Sequence, residues 1–394
     1  MRQAALTLPV LSMGVAVLAG CGGSAPGYGV QRTDSAGIEV VTYQGSDRPL
    51  DWRFEAVLSL GGKETDEEAF YQLAESSVGG DTRGNIYVLD RTARRVVVFD
   101  SGGTFLRAMG REGGGPGELR FPIALAVSPS GVASVLDLGK WALVRFGPDG
   151  AVLEQVRAEL QYGGGRMYDR DGVLLFGLQE FDGSQGRFTD RLLQVTEADT
   201  LEVVRLERPA GTSITLESCG MRLAGMAPVF AARLRWTALD ELVAVSTSPA
   251  YEVAFYVGEV PVRLMRHKVE PVPATTKAAV LRIGEGMRVQ TPGGVRVCDP
   301  QEVVEQRGVA DVIPAIGEMA AGPGGTLWIR RDAGPERPAP IDLFDRDAGY
   351  LGTLPEGSPF PVLVLGDRLA AIETDELDVD RLVVYRVDRP RIDR

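Results

Sequence analysis

Slid against itself by 47 residues, the chain lays Gly84-Asn-Ile-Tyr-Val-Leu-Asp90 over Gly131-Val-Ala-Ser-Val-Leu-Asp137. Val97, Phe99, Gly103 and Leu106 then fall on Val144, Phe146, Gly150 and Leu153. A fixed period of this length marks a repeat architecture, in which each copy is one supersecondary unit that must bury its faces against its neighbours. Each copy reads as four short strands. A small-residue strand (Gln72 to Gly79; Ile123 to Val127) precedes a turn ending in Gly, a strand ending in Asp, a third ending in Phe, and a fourth after a Gly turn. The last two alternate apolar and polar residues with period two.

Fainter copies follow. Asp171-Gly172 precedes Val173 to Phe176, Asp240-Glu241 precedes Leu242 to Val245, Gly324-Gly325 precedes Thr326 to Ile329, and Gly366-Asp367 precedes Arg368 to Ile372. That makes six units, the last lacking a fourth strand after Leu382 to Val387. The N-terminal strands Gly37 to Tyr43 and Phe54 to Leu60 are available to supply it and close a ring. Closure leaves only short protected edges, so the expected fold is all-β: a closed six-bladed β-propeller over 37–394. Glycine supports it. The 49 glycines are about 12% of the chain against a usual value of roughly 7%, as many short elements joined by tight turns require. The run Asn85 to Phe121, with Val97-Val-Phe-Asp100, Gly110-Arg-Glu-Gly113 and Gly115-Pro-Gly-Glu118, resembles an NHL-type repeat and its inter-blade loop. The whole chain is similar to six-bladed β-propeller lipoproteins of bacteria. That resemblance implies the fold and little chemistry, since NHL-like propellers include binding platforms and a few lyases or lactonases.

Met1-Arg2, the apolar run Ala4 to Ala19 and the box Leu18-Ala-Gly-Cys21 resemble a bacterial lipoprotein signal peptide. The resemblance implies cleavage before Cys21, lipidation of its thiol, and a tether over 21–36; a plain secretory peptide with an incidental cysteine is the alternative. The run is shorter than the ~20 residues of a membrane span. Gly22 replaces the Asp that retains some lipoproteins at the inner membrane, so the expected location is the outer membrane, facing the periplasm, with the lipid the sole membrane contact.

Cys219 and Cys298 remain, in a compartment that permits oxidation, and a disulfide between them is expected; two separately buried thiols are the alternative. They sit in two stretches too long for turns, about 208–228 and 270–314. The second carries short helices over Thr275 to Arg288 and Gln301 to Gln306. Insertions in a propeller emerge on one of its two faces, so these either cover a channel mouth, pinned by the disulfide, or pack on the outside.

The net charge of −12 argues against nucleic acid as a partner, because neutralising phosphates takes a cationic surface. No metal or cofactor is expected. His267 is the one histidine, zinc wants three or four soft ligands, and after Arg266 on an outer strand this residue is expected to face solvent. Asp169-Arg-Asp171-Gly172 with Glu180 mimics a calcium loop, but Val173 and Leu174 stand where a ligand and a glycine belong. Gly110 to Gly117 lacks the Lys-Ser/Thr pair of a phosphate loop and is expected to cross between blades. Asp90 and Asp137 recur at equivalent strand ends, as residues that bond turn backbone do. Trp236 and Trp328 are expected in the core between blades.

First strands line a propeller channel, so Glu75, Arg166, Arg233 and Arg235 are the candidate ligand-binding residues. Arg233 and Arg235, two apart, suit a carboxylate or phosphate, unless they bond carbonyls at the channel mouth. The function favoured is a non-catalytic envelope lipoprotein presenting its propeller faces to a protein, peptide or glycan. The alternative is a channel enzyme, a lyase or lactonase-like hydrolase using carboxylates and Ca²⁺, which needs acids converging from several first strands.

Overall fold

The structure, a computed structural model, describes residues 28–61, 70, 73–157, 163–291, 294–376 and 379–389. The expected signal peptide and Cys21 lie outside the described residues. Six four-stranded antiparallel sheets follow one another around a ring. Blade 1 is Val78–Gly80, Ile86–Asp90, Arg95–Phe99 and Phe105–Met109. Blade 2 is Pro122–Val127, Ala133–Asp137, Ala142–Phe146 and Val152–Arg157. Blade 3 is Gly163–Arg170, Val173–Asp182, Arg187–Val195 and Thr200–Glu207. Blade 4 is Arg235–Leu239, Leu242–Ser246, Glu252–Val257 and Val260–His267. Blade 5 is Ile316–Gly322, Thr326–Arg331, Ile341–Phe344 and Tyr350–Leu354. Blade 6 takes Leu363–Leu365, Arg368–Thr374 and Asp380–Asp388 from the end of the chain and Arg53–Leu60 from its beginning.

The repeat framework holds each turn as the spacing predicts. Asp90 accepts the Thr92 and Ala93 N–H groups, and Asp137 accepts those of Arg120, Phe121 and Lys140. Gly103 shows why the turn before a fourth strand needs glycine. Its φ is +86°, and a Cβ there would lie 2.5 Å from Leu58 of the closing strand. The Gly110–Gly117 segment does cross between blades 1 and 2, pinned where Lys140 Nζ donates to the Gly115 and Glu118 carbonyls. Between successive blades the facing sheets bury apolar side chains at every seam. Tyr87, Val98 and Val135 fill the first, and Trp236 with Leu175 and Val245 the third to fourth. Trp328 with Leu343 and Leu369 fills the fifth to sixth, and Leu60 with Phe99 and Val384 the last.

Three expectations need correction. The first strand of blade 1 does not begin at Gln72: Glu75–Ser77 is a turn of 3-10 helix, and the strand is only Val78–Gly80. Of the two N-terminal strands, only Arg53–Leu60 completes blade 6, running antiparallel to Asp380–Asp388. Ile38–Gly45 instead pairs in parallel with Val260–His267 of blade 4, and Tyr28–Ser35, expected within the tether, forms a hairpin arm outside it. The chain then crosses blade 5, where Leu50 N–H donates to the Thr353 carbonyl and Thr353 N–H to that of Arg48, before Trp52 enters the seam with blade 6. The N-terminal segment thus straps three consecutive blades.

The added strand overturns the expectation for His267. Tyr43 lies opposite it, and the imidazole is buried, 4% exposed, against Tyr251 and Tyr350. Its Nδ1 is 3.9 Å from the Asp342 carboxylate. Burial lowers its proton affinity below the ordinary value of 6.5, and Arg331 adds to this while Asp342 and Asp47 oppose it. The unfolded chain therefore binds a proton that the fold disfavours, so the stability from this neutral imidazole is complete above 6.5 and declines as the pH falls below it. Thermal melts from about pH 8 to about pH 5 should show that decline, and His267→Leu should remove it. An unchanged pH profile in the variant would refute the assignment.

Candidate functional site: the channel and its capped mouth

Because first strands run parallel around the channel, their starts define one mouth and their ends the other. Among the described residues, connections from a fourth strand to the next first strand reach the start mouth, and both insertions are such connections. The first folds into the hairpin Thr212–Leu216 with Met221–Met226. The second holds a helix at Thr276–Ile283, a hairpin Met287–Thr291 with Gly294–Cys298, and a helix at Pro300–Arg307. The expected helix over Thr275 to Arg288 stops early, at Gly284, where φ is +65°. Thr275 caps the first helix through the Ala278 N–H and Asp299 the second through the Glu302 N–H.

Cys219 and Cys298 are joined as expected and lie in a small core with Ile214, Leu216 and Val303. Glu302 accepts the Glu217 and Ser218 N–H groups, and Arg296 donates to the Cys219 carbonyl. The two insertions therefore form one cap, overhanging the start mouth beside blades 3, 4 and 5.

Glu75, Arg166, Arg233 and Arg235 all line this mouth, a cavity of about 260 Å³. They act as two pairs. Arg166 forms an ion pair with Glu75, and its Nη1 donates to Thr237 Oγ1 at 3.1 Å and the Met319 carbonyl at 2.9 Å. Those partners belong to blades 4 and 5, so this arginine of blade 3 ties first strands across the waist of the channel. Burial lowers its proton affinity, with Glu318 opposing. Arg233 and Arg235 are exposed at the entry to blade 4. Both also line a second cavity of about 280 Å³ under the cap, bounded by Arg208, Arg282, Arg307 and Asp332.

Arg208, Arg307 and Asp190 were not legible in the sequence as site residues. Arg208 opens the first insertion and grips Asp190 of blade 3 through two bonds of 2.9 and 2.6 Å. The same carboxylate accepts the Leu234 N–H at 3.2 Å, which holds the backbone between Arg233 and Arg235 in place. The one available signal was position, since Arg208 opens the first insertion and Arg307 ends a helix of the second.

The opposite mouth, about 520 Å³, is acidic, with Asp81, Asp169 and Asp240 on its rim. Each carboxylate is engaged locally. Asp81 accepts from Arg83 and Asn85, Asp169 from the Gly172 N–H, and Asp240 pairs with Arg346. Burial raises the proton affinity of Asp169. Among the described residues, no three His, Cys, Asp or Glu side chains converge to hold a metal ion.

Fold and site together define a closed six-bladed β-propeller with one capped mouth. A family described as a six-bladed β-propeller matches residues 78–206, the span of blades 1 to 3. No curated protein matches the chain. Among solved structures it is similar to a putative exported protein from Bacteroides fragilis, at 13% identity and a TM-score of 0.50, over 86% of this chain and 96% of that one. It is also similar to a member of the DUF4221 family from Bacteroides vulgatus, at 9% identity and a TM-score of 0.53, over 86% and 99%. At such identities the likeness shows the fold alone.

Proposed function

We propose that this chain is a lipid-anchored binding protein of the bacterial cell envelope whose working face is the capped mouth. The observation that carries the reading is the cap itself. Two insertions, bridged by a disulfide, leave the regular blades and enclose a cavity at one mouth, whereas the carboxylates a channel hydrolase would need are spent on turns and ion pairs at the other. The NHL-like framework of the first blades is in keeping with a platform.

The anchor supplies an orientation. Tyr28 pairs with Gly45, next to the His267 end of blade 4, and fourth strands end at the capped face. Seven peptide steps separate Cys21 from Tyr28, a reach of at most ~25 Å. A lipid on Cys21 therefore holds the capped mouth toward the membrane.

Two measurements test the proposal. Wild-type protein should fractionate with membranes and Cys21→Ser should release it; a wild-type protein found wholly in the soluble fraction overturns the anchor. Native mass spectrometry of protein extracted in mild detergent should detect a bound small molecule that is lost in Ala231→Trp, a residue lining the cavity. A mass equal to polypeptide plus lipid overturns the cavity as a binding site.

A further inference from the structure

We propose that the cavity under the cap is an oxyanion site, in which Arg233 and Arg235 clasp the carboxylate or phosphate group of a small organic acid. The inference rests on the capped mouth being the working face, and it names the chemistry that face recognises.

On a chain of net charge −12, five arginines and a single aspartate line this one cavity. Such a concentration of one sign between low-dielectric walls focuses the field on whatever enters. Three of the five are accounted for. Arg208 is held by Asp190, and Arg282 is held by Asp332 through bonds of 2.9 and 2.6 Å. Arg307 donates Nε to the Ala227 carbonyl at 3.0 Å. Among the described residues, neither the Arg233 nor the Arg235 guanidinium meets a hydrogen-bond acceptor or a carboxylate at ion-pair distance, and both open into the cavity.

Both side chains are exposed and reach the cavity through solvent, with no counter-charge at contact distance. Desolvation lowers the proton affinity of both, with Arg208 pushing the same way, while Asp190 opposes at Arg233 and Glu318 and Asp332 oppose at Arg235. Arginine does not shed its proton in proteins, so both groups stay cationic and present their donors to an anion that displaces water. The planar fork of each group matches the two oxygens of a carboxylate or the face of a phosphate. Rigidity favours the same reading. Asp190 fixes the Leu234 N–H between the two arginines, so their spacing is set before any ligand arrives. The remaining wall is apolar, with Met226, Phe230 and Ile283, and the cavity joins the channel mouth. The combined space is that of a small-molecule site, with room for a carbon skeleton beside the anionic group.

The test uses the full-length protein in detergent, with citrate and inorganic phosphate as probes in titration calorimetry. Saturable binding of at least one is expected, weakened about tenfold or more in Arg233→Ala and Arg235→Ala and reduced by added salt. A purely structural role is separated by the melting temperature without anion. Both variants should match or exceed wild type, because their removal relieves repulsion, whereas arginines that brace the mouth would lower it. Vesicles containing phosphatidylglycerol distinguish the source. Sedimentation of the Cys21→Ser protein with them, competed by citrate, assigns the acid to a lipid headgroup, and citrate binding without sedimentation assigns it to a soluble molecule. No binding of either probe to wild type, or binding indifferent to both substitutions, overturns the inference. Loss of the co-purified molecule in Ala231→Trp but not in the arginine variants would leave the binding face standing and remove the oxyanion chemistry alone.

Discussion

Asp342→Ala is expected to destabilise the propeller by about 3–5 kcal/mol, the usual cost of removing one partner from a buried ion pair. The carboxylate is fully buried between blades 4 and 5. It accepts bonds from Arg331 at 2.6 and 2.8 Å, from the Tyr251 hydroxyl at 2.8 Å and from Thr353 Oγ1 at 2.6 Å. Asp47 also binds Arg331, so the guanidinium keeps one partner near the surface while its inner side loses its counter-charge. The unpaired Tyr251 hydroxyl adds its own desolvation cost, whereas Thr353 Oγ1 keeps its 2.6 Å bond with the Tyr350 hydroxyl. Denaturant titration of the variant should show a lower midpoint, and citrate affinity should be unchanged because the network lies outside the channel. A loss below about 1 kcal/mol would mean that water reaches this seam in solution.

The second large effect belongs to the disulfide. The bridge closes a loop of 79 residues that contains the whole of blade 4. In the chain-entropy model such a loop is worth roughly 4 kcal/mol, and engineered cases often deliver less. The cost should fall on the cap, whose core is small, rather than on blades that bury their own seams. Replacing both cysteines by Ser should lower the melting temperature and open Met287 to Arg307 to proteolysis, while the β-rich circular dichroism spectrum persists. Anion affinity should fall with it, because Arg307, Met226 and Ile283 reach the cavity from the cap. Cleavage of the cap at the wild-type rate would refute this division of labour.

Repetition and alternation determined most of the ring. The 47-residue offset identified blades 1 and 2 strand by strand, because the framework residues act locally: Asp90 bonds N–H groups two and three residues on, and Gly103 sets its own φ. Six units without capping ends implied closure, and the closing strand lay among the candidates named. The compartment implied by Cys21 made a bond between Cys219 and Cys298 the economical reading. Of the candidate arginines, Arg166 and Arg235 stand on first strands, and Arg233 just precedes one.

What lay beyond the sequence depends on contacts between distant segments. Parallel addition of Ile38–Gly45 to blade 4 is made of backbone hydrogen bonds, which leave little mark on side-chain identity. From that one pairing follow the burial of His267 and the position of Tyr28 at the capped rim. The division among the four channel residues was likewise invisible. Glu75 neutralises Arg166, while Asp190 is taken by Arg208, eighteen residues away. Arg233 and Arg235 are left without a carboxylate at ion-pair distance because Arg282 takes Asp332 and Arg330 takes Glu318. Pattern in a sequence records what neighbours along the chain require of each other; charge compensation across a cavity depends on which side chains the closed ring places within a few ångströms, and that only the tertiary structure decided.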